Sequence, residues 1–105
     1  MIAPPESVTV PSGSTVVFVC ISLDVPSIIW RQEQEELNSI AYPRVNIILS
    51  EGLVNKSGRV FLRSVLQFCG VKDVDAANYS CIADSGLAGN DSASFELRVL
   101  HRHVS

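Results

Sequence analysis

The chain has 105 residues, 47% of them apolar and 18% charged, with a net charge of −3. That is one domain with enough apolar side chain for a core, which excludes a disordered polar segment. It carries no basic stripe for nucleic acid, and no apolar run approaches the ~18 residues of a membrane-spanning helix.

Residues 6–10 alternate, with Val8 and Val10 on one face, and predict a short edge strand ahead of a Pro11-Ser12-Gly13-Ser14 turn. Residues 15–23, TVVFVCISL, predict a strand with Val16, Phe18 and Cys20 inward. Its outward residues, Val17, Val19 and Ile21, are apolar as well, where a face in water usually turns polar. Asp24-Val25-Pro26 turns the chain into a strand at 27–31, with Ile28 and Trp30 inward and Ile29 outward. The acidic run QEQEE at 32–36 reads as a solvated strand end and hairpin tip. Neighbouring strand side chains point to opposite faces, so the run alone does not converge the ~6–8 oxygens that calcium takes.

Residues 37–43 link across to an alternating stretch at 44–50, with Val45, Ile47 and Leu49 on one face and Ile48 on the other. Gly52 and Gly58 bracket a polar loop. Residues 59–68 predict a strand with Leu62, Leu66 and Phe68 inward, and Phe61, Arg63, Val65, Gln67 and Cys69 outward. A corner follows at 72–77, then strands at 78–84 and 92–100, the latter with Phe95, Leu97 and Val99 inward. No stretch has helical periodicity. Residues 1–100 form the domain, and 101–105 are a tail or interdomain linker.

Three cysteines are too few for a small disulfide scaffold, and their spacing fits no zinc site. If two pair, one is left over. Asn-x-Ser occurs three times, at Asn55, Asn78 and Asn90, which favours the secretory pathway and makes each a glycosylation candidate. Met1 leads into IAPPES rather than a charged and then apolar leader, so a secreted protein would carry this chain within a longer precursor. The only histidines, His101 and His103, lie in the tail. No Ser/His/Asp set falls within the fold and no glycine-rich phosphate loop is present, so no catalytic residue, cofactor or metal is expected.

The stretch 66–81, LQFCGVKDVDAANYSC, ties these elements together. Its Leu-x-Phe, then Asp-x-Ala-x-Tyr-x-Cys, follows Cys20 on an apolar run and Trp30 ten residues later. The set resembles the immunoglobulin superfamily, intermediate (I-set) type, in which the tyrosine of the E–F corner lies two residues before the second cysteine. The resemblance implies an all-β sandwich of two antiparallel sheets, bridged by Cys20 and Cys81, with Trp30, Leu66, Phe68 and Tyr79 in the core. A bridge closing a loop of about 60 residues would contribute roughly 4 kcal/mol in the chain-entropy model.

The resemblance also implies function: an extracellular recognition module of a cell-surface or matrix protein, active in adhesion or receptor ligand binding, with a protein partner. A structural spacer in an ectodomain and an intracellular I-set module of a filament-associated protein, its cysteines reduced, are the other readings. Strand parity sorts two outer faces. Strands B (15–23) and E (59–68), grouped with A and D, bring together Val17, Val19, Ile21, Phe61, Val65 and Cys69. That patch is the candidate interface, either for a homodimer in which Cys69 could meet its counterpart or for a neighbouring domain; loops or strand A covering it is the alternative. The face of C, F, G and C′ carries Ile29, Ile48 and Ile82 as an alternative interface, with Asn78 on the same face.

Overall fold

The computed structural model describes residues 4–23, 25–37, 45–53, 59–84 and 90–100. Their strands are β1 (Val8–Pro11), β2 (Val16–Leu23), β3 (Ser27–Gln32), β4 (Glu35–Glu36), β5 (Val45–Leu53), β6 (Val60–Phe68), β7 (Ala77–Asp84) and β8 (Asn90–Leu100). They form two sheets, one ordered β1-β8-β7-β3-β4 and the other β2-β6-β5. The sheets pack face to face, as the alternation of apolar residues requires. Helical structure among the described residues is one 3-10 turn, Asp73–Asp75, at the corner between β6 and β7.

One strand sits elsewhere than the resemblance implies. β1 does not join the β2 sheet. It pairs in parallel with β8, Val8 opposite Leu97 and Val10 opposite Val99, so one ladder of the sandwich is not antiparallel. Alternation tells which residues face inward, not which sheet edge accepts them. Val8 and Val10 do pack against the core. Pro11 has no N–H to continue the ladder. Gly13 then takes a left-handed backbone, φ 91°, which glycine adopts without cost. Its N–H donates to the Val71 carbonyl at 2.8 Å, and the Val71 N–H donates to the Ser14 carbonyl at 2.9 Å, so the turn is tied to the β6–β7 corner.

The acidic run forms the β3–β4 hairpin. Glu33 is left-handed there, φ 53°, which costs a non-glycine residue about 1–2 kcal/mol. Two hydrogen bonds offset that cost: the Glu33 N–H donates to the Asn78 carbonyl at 2.9 Å, and the Asn78 N–H donates to Glu33 Oε1 at 3.2 Å.

Cys20 and Cys81 are bonded across the sandwich, with Cα atoms 6.6 Å apart. Trp30, Leu66, Phe68 and Tyr79 are buried around them. Phe95 is the hub of the aromatic core. Its ring centroid lies 4.5 Å from Phe18, 5.8 Å from Tyr79 in a stacked pair and 5.9 Å from Trp30 edge-on. The indole N–H of Trp30 donates to the Ser64 hydroxyl at 2.7 Å. Ser64 is fully buried and pairs across the ladder with Cys20.

The Tyr79 hydroxyl donates to the Asp75 carbonyl, four residues upstream, and accepts from Gln32 Nε2 at 3.2 Å. The Asp75 carboxylate accepts the Lys72 N–H at 2.8 Å, closing the 3-10 turn. Tyr79→Phe removes the hydroxyl and leaves a buried carbonyl without that donor. The expected loss is about 1–3 kcal/mol, read as a lower urea midpoint at unchanged slope.

Candidate functional site

The outer face of β2, β6 and β5 is built in rows set by register. Val19 lies opposite Val65, and Val65 opposite Ile48, so one apolar row crosses all three strands. Val17 extends it along β2, 51% exposed, and Ile48 is 54% exposed. Polar rows flank it: Gln67 and Asn46 on one side, Arg63 and Ser50 on the other. Ile21 stands beside Arg63 and is half-buried. Val17 and Ile48 are thus about half exposed; β1 pairs with the other sheet, and Pro4 to Val8, leading into that pairing, line an open cleft with Val17 along β2.

Ile48 was expected on the opposite sheet, with Ile29 and Ile82, and the structure corrects this. β4 pairs with β3 over two residues only, whereas all nine residues of β5 pair with β6. Parity places Ile48 outward but is silent about which sheet its strand joins. The move adds Ile48 to the Val19–Val65 patch and leaves the alternative interface with two isoleucines. Ile29 and Ile82 are opposite one another across β3 and β7, both half-buried. Around them the five-stranded sheet is polar. Arg98 Nε meets Glu96 Oε1 at 2.8 Å, and Arg31 and Asn78 are exposed.

Phe61 faces outward as the parity predicts, but its ring lies over β5. A Cβ built at Gly52 would sit 2.6 Å from Phe61 Cζ. The missing side chain at Gly52 gives the ring its seat, and Phe61 is half-buried by its own sheet. Cys69 is a free, exposed thiol with Asn46 Nδ2 3.8 Å from Sγ. Gln67 separates it from Val65 along the strand, so Cys69 lies off the apolar row.

Of the sequons, Asn78 is exposed on β7 and Asn90 is exposed at the head of β8, both on the five-stranded sheet. Asn55 and the 101–105 tail, with His101 and His103, lie outside the described residues. Ser64 is the residue that sequence reading misses. Counting apolar inward positions passes over a serine. The available signal was its inward parity on β6 facing a buried indole that needs an acceptor. Among the described residues, no helix is long and apolar enough to cross a membrane.

No protein-family model matches the chain, and no curated protein does. Solved structures do. The chain is similar to the N-terminal Ig1-2 module of the Drosophila receptor protein tyrosine phosphatase DLAR, with a TM-score of 0.72 and 24% identity, over 96% of this chain and 48% of that one. It is similar to the tandem Ig repeats of Dlar, with a TM-score of 0.70 and 23% identity, over 99% of this chain and 49% of that one. The chain thus spans about half the length of these two-domain structures. The BTLA ectodomain matches with a TM-score of 0.65 and 18% identity, over 95% of both chains. Two sheets joined by a buried disulfide, a tyrosine corner and these likenesses lead to one conclusion: the chain has the immunoglobulin fold.

Proposed function

We propose that this chain is a non-catalytic protein-recognition domain of a larger cell-surface or matrix protein, working outside the cell and docking its partner on the outer face of the β2-β6-β5 sheet. The observation that carries the reading is the apolar row Val19–Val65–Ile48, with Val17 beside it, in which Val17 and Ile48 are exposed and Val19 and Val65 half-buried. Contiguous exposed apolar surface of this kind usually marks an interaction site. Asn78 and Asn90 lie on the other sheet, so glycans there would leave this face clear. The Cys20–Cys81 bridge supports an oxidising compartment. The DLAR and BTLA likenesses support a receptor-type ectodomain.

The test is a binding screen of the secreted chain against arrayed cell-surface ectodomains, including its own. The expected result is at least one partner whose affinity falls by about tenfold or more in the Val17→Asp/Val65→Asp variant, with unchanged circular dichroism. Binding that survives this variant but falls with Ile29→Asp/Ile82→Asp would move the site to the five-stranded sheet. Binding to no ectodomain would leave the spacer reading.

A further inference from the structure

The two sheets end in four edge strands: β1, β4, β2 and β5. Unpaired edges recruit other strands, and folded proteins guard them with short length, proline, charge or cover. Three of these four are guarded. β1 has four residues and ends in Pro11. β4 is two glutamates. β2 is flanked by Pro4 to Val8, which with Val16 to Val19 line an open cleft of about 360 Å³.

β5 is not guarded. It runs nine residues, VNIILSEGL, with no proline, lysine or arginine and a single carboxylate, Glu51. It pairs with β6 on one side, and no strand lies on the other among the described residues. Among the described residues, two of the most exposed large apolar side chains are adjacent on it, Ile48 at 54% and Leu49 at 56%. Neighbours in a strand point to opposite faces, so this edge is apolar above and below. Leu49 has inward parity, yet the inward series passes from buried Val45 through half-buried Ile47 to exposed Leu49. The strand overhangs the core beyond Ile47.

We propose that β5 pairs antiparallel with β5 of a second copy of this chain, about a two-fold axis at Ile48. The strand is self-complementary in that register. Ile48 meets Ile48, Ile47 meets Leu49 and Asn46 meets Ser50, each pair on one face of the sheet. Shifting the axis to Leu49 would set Ile47 against Glu51; shifting it to Ile47 would set Ile48 against Asn46. With Ile48 on the axis, the row Val19–Val65–Ile48 continues into the second copy as one six-stranded sheet. The exposed face of Leu49 is covered by Ile47 of that copy. The pairing uses the strand edge and does not rest on the docking face proposed above.

The geometry separates this dimer from one bridged by Cys69. Cys69 follows Phe68, which pairs with Val45. It therefore stands one strand in and about four residues along from the axis, which puts the two Cys69 residues on the order of 30 Å apart. A disulfide needs Cα atoms within about 7 Å.

The test is sedimentation equilibrium of the chain, with cysteine cross-linking in a Cys69→Ser background. The wild-type chain is expected to show a monomer–dimer equilibrium that Ile48→Lys weakens at least about tenfold, because two like charges meet on the axis, and that Val17→Asp leaves intact. Opposed residues of an antiparallel pair have Cα atoms about 4.5–5.5 Å apart, within disulfide range. Ile48→Cys with Cys69→Ser is thus expected to oxidise to a linked dimer, while Val17→Cys in the same background still dimerises but forms no cross-link. A wild-type chain that is monomeric up to millimolar concentration, a dimer linked through Cys69, or a dimer lost with Val17→Asp and kept with Ile48→Lys would each overturn the proposal.

Discussion

Trp30→Ala is expected to lower the unfolding free energy by about 3–5 kcal/mol, against a total of about 5–15 for a domain of this size. Trp30 is 1% exposed, lies edge-on to Phe95 and pairs across the ladder with Cys81. Its removal leaves a cavity between the sheets beside the disulfide, and it strands the Ser64 hydroxyl without its donor. Ser64→Ala alone keeps the ring but orphans its N–H, with an expected loss of about 1–3 kcal/mol. The two losses should not add, since each variant removes the same hydrogen bond. Urea unfolding of both single variants and the double variant reads the coupling directly.

Removing the bridge with Cys20→Ala/Cys81→Ala is expected to cost about 2–5 kcal/mol. The two positions are 61 residues apart, so the bridge restricts a large part of the unfolded chain. Both cysteines are fully buried. Reductant in native buffer should therefore react slowly with the wild-type chain, and quickly once denaturant opens the sandwich. The double variant should unfold at a lower urea midpoint in a single transition, with the free Cys69 thiol accessible throughout. Equal midpoints for variant and wild type would mean that the bridge contributes little.

Local chemistry made most of the fold legible. The Tyr79 corner is carried by residues within a few positions of one another, so its pattern survives in one dimension. The inward sets of β2, β6 and β8 follow from alternation alone, because each strand buries one face. What depends on which strand lies next to which was not legible. β1 could have edged either sheet, and Ile48 was outward on either. Ser64 escaped because a buried polar residue interrupts the apolar count while satisfying a tryptophan 34 positions away. The seat of Phe61 on Gly52 depends on the β5–β6 register, which no local signal sets. The patch at Val17, Val19 and Val65 was visible as an outward apolar run, but its continuation into Ile48 was not.

The most direct measurement is intact mass with thiol counting on the chain secreted from a mammalian cell, enzymatically deglycosylated and kept non-reduced. One free thiol per chain, Cys69, is expected, with Cys20–Cys81 closed and at least one of Asn55, Asn78 and Asn90 converted to aspartate by deglycosylation. Three free thiols and no converted asparagine would contradict an extracellular recognition domain and leave the filament-type intracellular module as the better account.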